Sequence, residues 1–278
     1  MKNIKLYIIL FLASFSIISC EEVVDVDLNT AAPKLVIDAS IKWEKETTGN
    51  LQKIKLTTTT DYYSNQIPPA TGATVTVTNI SLDTAVTYTF IEDGQTGEYN
   101  CSNFTPVIGN DYSLNIIYKG ETYTATSRFM ASPVIAKTEQ SLKPGIEGKD
   151  VYEIKFYFQD NGDEDNFYLV GAKNARIAYP EYGAMSDELS QGNLMFAFYR
   201  DEDVEKGDVI DFSLQGITEQ YYNYMSKLIS TAGSDGGNPF GTAPATLRGN
   251  IVNKTNSDNF PYGFFHLGEI DSDSYTIQ

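Results

Sequence analysis

The chain has 278 residues, 20 basic and 37 acidic side chains and a formal net charge of −17. A body this acidic repels phosphate backbones, which argues against nucleic acid as a partner. Two cysteines and one histidine are too few for a Cys/His zinc site.

The amino terminus reads as a leader. Lys2 and Lys5 give a positive start, Leu6 to Ile18 is almost unbroken apolar sequence, and "IISC" closes it at Cys20. The run is too short to span a bilayer as a helix. Ile17, Ile18, Ser19 and Cys20 resemble the lipobox of bacterial lipoproteins, in which the cysteine thiolate accepts the lipid and becomes the first mature residue. Residues 1–19 are therefore expected to be a signal peptide, with lipidation at Cys20 and an acidic tether over 20–33. The "EE" after Cys20 resembles the surface-export signal of Bacteroidetes lipoproteins. That resemblance implies display on the outer membrane at the cell surface, with the periplasmic face as the alternative. With Cys20 lipidated, Cys101 has no intramolecular disulfide partner.

From Lys34 the apolar period is close to two. "KLVIDASIKW", "KIKLTTTTDYY", "ATVTVTN", "AVTYTFIED", "DYSLNIIY" and "ETYTATSRF" read as strands, with Val75 and Val77 sharing a face and Gly120 serving a tight hairpin. This succession of short strands over 34–130 predicts an immunoglobulin-like or transthyretin-like β-sandwich. Residues 131–278 predict a β-rich domain with strands at "VIAKTEQSL", "VYEIKFYFQD", "NFYLVGAKNARIAY" and "GDVIDFSLQG". Its one helix is expected over about 217–232, where Ile217, Tyr221, Tyr224, Met225, Leu228 and Ile229 fall on one face. Thr218 is the expected N-cap and Gly233 the stop. "ATLRGNIVN" and "YGFFHLGEID" are expected to close the fold as a strand pair. The fold class is thus mainly β.

Catalytic signals are sparse. His266 must serve any Ser-His-Asp or Cys-His mechanism, yet it lies in the alternating strand pattern "FFHLGE" and reads as a structural residue. No H-E-x-x-H, G-x-S-x-G or phosphate-binding glycine loop occurs. In "QDNGDEDNFY", Asp160, Asn161, Asp163 and Asp165 could direct oxygens at a calcium ion. The competing reading is an acidic hairpin turn, with Asn161-Gly162 supplying positive dihedral angles.

The ordered set "GATVTVTN", "TGEY…VIGNDYSLNIIYKGETYTA", "FYFQDNGDEDNFYLV" and "NPFGTAPATLRGNIVN…YGFFHLGEI" behind a lipoprotein leader resembles a Bacteroidetes outer-membrane lipoprotein family of the domain of unknown function 4249 type. Members are typically encoded beside TonB-dependent receptors. The resemblance implies a non-enzymatic accessory of such a receptor in nutrient capture or uptake, held on the outer membrane by its lipid. It brings no catalytic residue. The alternatives are a stand-alone surface protein that binds glycan or peptide, and a hydrolase using a carboxylate pair.

Overall fold

A computed structural model gives the fold, and it describes residues 32–61, 64, 66–145, 148–232 and 246–278. The leader, Cys20 and nearly all of the tether lie outside the described residues. Pro33–Gln278 form one compact unit.

Seven strands come first: β1 (Leu35–Glu44), β2 (Gln52–Thr58), β3 (Thr74–Asn79), β4 (Val86–Glu92), β5 (Glu98–Cys101), β6 (Asp111–Tyr118) and β7 (Glu121–Met130). Each alternates buried and exposed residues, as a half-buried antiparallel strand does. Val75 and Val77 share the buried face as expected. The β6–β7 turn has positive φ at both Lys119 (49°) and Gly120 (79°), the pairing that suits a two-residue hairpin.

The next strands are β8 (Ile135–Pro144), β9 (Asp150–Gln159), β10 (Phe167–Asn174), β11 (Glu181–Ser186), β12 (Leu194–Arg200) and β13 (Val209–Ile217). Helix α1 (Glu219–Ala232) follows, then β14 (Val252–Asn253) and the 15-residue β15 (Tyr262–Thr276). The chain is mainly β with one helix among the described residues.

The first half does not stop at residue 130. β15 runs parallel to β1, from Val36↔Tyr262 to Glu44↔Ile270, and touches β7 at Leu267↔Phe129 and Gly268↔Met130. The order β15-β1-β2-β5-β4-β3-β6-β7 thus returns to β15, and the expected sandwich is a closed eight-stranded barrel. Closure removes edges that a seven-stranded meander would leave open. Inside lie Ile37, Ile41, Ile54, Tyr99, Tyr112, Phe129, Phe265 and Leu267.

The second half of β15 pairs antiparallel with β13, from Gln215↔Ile270 to Val209↔Thr276. β13, β10 and β11 therefore extend the same sheet away from the barrel. Against them packs a separate sheet, β12-β9-β8, which buries Ile154, Phe156, Phe158, Tyr168, Phe212 and Leu214. This second lobe has its own core, but its framework shares one strand with the barrel. The junction is stitched by side chains. Ser132 Oγ donates to Leu214 O (2.8 Å), Ser132 N donates to Glu269 Oε2 (3.1 Å), and Lys45 pairs with Glu269 (2.5 Å).

Two further expectations are corrected. "ATLRGNIVN" and "YGFFHLGEID" do not pair with each other, because β14 joins β7 and β15 joins β1. Helix α1 starts at Glu219, not 217, because Ile217 ends β13 and is fully buried there. Thr218 is the N-cap as expected, accepting from Tyr221 N at 3.3 Å. Gly233 lies outside the described residues.

Candidate functional site

The four calcium candidates sit in the crossover from β9 to β10. Those strands belong to different sheets, so the segment is not a hairpin. Asp160 turns inward and is 4% exposed. Its Oδ1 accepts from Tyr168 Oη (2.5 Å) and its Oδ2 from Gly192 N (2.7 Å). Asn161 Oδ1 accepts from Asp163 N (3.3 Å), which shapes the turn through a side chain. Gly162 has no positive φ, so Asn161-Gly162 does not supply left-handed residues. Asp163 and Asp165 are exposed. The fold therefore spends Asp160 and Asn161 on its own loops, and it gathers no group of three or more acidic, His or Cys ligands among the described residues.

His266 projects from β15 between the sheet and α1. It is 1% exposed, and neither ring nitrogen has a hydrogen-bond partner. Its ring stacks on Tyr221 with centroids 4.0 Å apart and planes 13° apart. Burial, with a smaller contribution from Lys42, pulls its pKa down to about 3. The strand neighbour Ser40 gives its hydroxyl to Asp38 (3.0 Å) rather than to the imidazole. A general base needs an accessible proton to take and a partner to orient it. His266 has neither, and it acts as an aromatic spacer beneath α1. Cys101 is buried in the barrel on β5 and donates to Asn103 Oδ1 (3.2 Å).

A surface that sequence reasoning missed lies on the second lobe. Strand β12, "LMFAFYR", alternates: Met195, Ala197 and Tyr199 face the core, while Leu194, Phe196 and Phe198 face out and are 51%, 42% and 59% exposed. The missed signal is six consecutive apolar residues, Leu194 to Tyr199, just long enough for a strand. Beside it on β9, Tyr157 stands 5.7 Å from Phe196. Cations cover this face: Lys155 over Phe196 (4.3 Å), Lys137 over Tyr157 (4.5 Å) and Arg200 over Phe198 (6.0 Å). Arg200 is also ion-paired with the buried Glu153, and that contact holds the Glu153 carboxyl below the usual carboxylate range. Between the edges of β11 and β12 opens a cleft of about 160 Å³, bordered by Glu181, Gly183, Ala197 and Phe198 and floored by Phe156 and Val170.

These features define a mainly β protein whose exposed chemistry is an aromatic strand edge with a small cleft. The chain belongs to the family described as Domain of unknown function (DUF4249), whose sequence model matches residues 21–274. No match was found among curated proteins. Among solved structures, the crystal structure of chicken CNTN1 FN1-FN3 domains is matched at 9% identity and a TM-score of 0.25, over 67% of this chain and 62% of that one.

Proposed function

We propose that this protein is a non-enzymatic lipoprotein of the outer membrane, anchored at Cys20 and displayed at the cell surface, that docks on a TonB-dependent receptor and helps it capture or retain nutrient. The observation that carries this reading is the β12 face. Leu194, Phe196 and Phe198 lie exposed in a row on a body of net charge −17, and such a row is stable in water only at a cost that a partner surface relieves. The leader and the order of motifs support the anchor and the receptor. Confinement of both partners to one membrane raises their effective concentration, so a weak contact suffices.

Two measurements test the reading. Cys20→Ala is expected to abolish incorporation of labelled fatty acid and to release the protein from the outer membrane. Deleting the gene is expected to lower uptake through the neighbouring receptor. Unchanged uptake would contradict the accessory role and favour a stand-alone binder.

A further inference from the structure

We propose that the open edge of β12 receives an extended strand of the partner receptor, with one large side chain of that strand seated in the cleft between β11 and β12. The inference rests on the docking reading above and names the surface and the chemistry of the contact.

Sheet edges in folded proteins are paired, covered or charged, because unpaired N–H and C=O groups template further pairing. The opposite edge of the same sheet obeys this rule. Opposite β12 in its sheet, β8 is capped by β15 and the carboxyl-terminal residues. Ile135 N donates to Asp271 Oδ2 (2.7 Å), and Gln278 N donates to Gln140 Oε1 (2.9 Å). β11, terminal in the other sheet, packs with α1 on its face at Ala184; its edge is short, starts at Glu181 and carries Gly183. β12 pairs with β9 alone, and among the described residues no backbone hydrogen bond reaches its far side. It carries none of the usual deterrents: no Pro, no Gly, and no charge before Arg200 at its end. Left uncovered, such a segment is an aggregation hazard.

The cleft specifies what the added strand presents. Its volume of about 160 Å³ suits one large side chain rather than a solvated ligand. It lies beside the edge, so a strand hydrogen-bonded to β12 would point alternate side chains into it and the rest along Leu194, Phe196 and Phe198. Charge adds a second constraint. Among the described residues of this sheet, Lys137, Lys143, Lys155 and Arg200 pair with Glu139 and Glu153, and with Asp150 at the start of β9 the strands still hold one more cation than carboxylate on an acidic protein. The incoming segment is therefore apolar at alternate positions and flanked by carboxylates. Position agrees. Lys34 enters the fold beside the start of β15, contacting Phe260 and Asp258. The second lobe grows from the far half of that strand, from Ile270 on, about 26 Å of extended chain beyond Tyr262.

The test uses the full lipoprotein purified from native membranes in mild detergent. Wild type is compared with Phe196→Lys/Phe198→Lys, which charges the exposed face of the edge, and with Ile91→Lys, which alters an equally exposed apolar residue on the barrel (66% exposed). Thermal melting checks that all three fold. Receptor recovery is expected to fall at least about tenfold for the β12 variant and to be unchanged for Ile91→Lys. Equal recovery with the β12 variant would overturn the proposed edge while leaving the docking reading intact. Absence of any receptor with wild type would overturn the docking reading, and the proposed edge with it. A wild-type dimer in sedimentation that the β12 variant abolishes would assign the edge to a second copy of the chain and also overturn the proposal.

Discussion

Acidification from about pH 6.5 to about pH 5 is expected to destabilise this protein by about 2 kcal/mol through His266 alone, and His266→Phe is expected to abolish that loss. The imidazole is enclosed by Tyr221 of α1, Phe264 and its own strand, with Lys42 as the nearby cation and Asp38 beyond Tyr221. Its pKa of about 3 in the fold lies far below that of the unfolded chain. Between those two values the unfolded state binds the proton and the folded state does not. Stability is therefore full above about pH 6.5 and falls as the pH drops through the window. Asp187, whose carboxyl is raised by burial, acts in the opposite direction, but it is present in both proteins and cancels in the comparison. At neutral pH the phenylalanine variant also removes two buried nitrogens that lack partners, so it is expected to be at least as stable as wild type. Urea midpoints measured across this pH range for both proteins give the answer. Parallel pH profiles would mean that His266 titrates normally and is not enclosed.

Gly263→Ala is expected to cost about 4 kcal/mol or more, enough to remove most of the folded population of an ordinary domain. Gly263 has φ of 100°, a backbone region that side chains avoid. A Cβ there would sit 1.9 Å from the carbonyl oxygen of Ile37, on the strand it pairs with. Neither backbone can retreat, because Ile37 is fully buried in the barrel and Phe265 is fixed two residues on by Asn250, whose side chain bonds both its N–H and its C=O. The substitution therefore strikes the seam where β15 closes the barrel. Both lobes depend on β15, so barrel and second lobe are expected to lose amide protection together. A variant that keeps native protection in β13 while losing it in β1 would show that the lobes fold independently.

Much of this architecture is legible in the sequence, and the failures have physical reasons. Alternation along β1 to β7 is strong because one face is buried and the other wet. The Lys119-Gly120 hairpin and the Thr218 cap are local, so short-range chemistry specifies them. Barrel closure is not local. "YGFFHLGEID" predicts a strand, but nothing in it names β1, more than 200 residues earlier, as its partner. Helix α1 starts later than its apolar spacing implies, because Ile217 at helical phase is also the last buried residue of β13. In the acidic turn, Asp160 accepts from Tyr168 and Gly192, partners that pattern reading does not reveal. The β12 edge was hidden for another reason. Its exposed phenylalanines are indistinguishable in sequence from core residues, and the sheet order shows that no strand among the described residues lies beyond them.

Hydrogen exchange along β12 tests the central claim most directly. The protein in the proposed receptor complex and the same protein free are exchanged in parallel and read by mass spectrometry. The account predicts that amides of residues 194–200 gain protection in the complex, that β11 follows to a lesser extent, and that the barrel strands β2 to β5 are unchanged. Protection gained on the barrel, with β12 exchanging alike in both states, would contradict it.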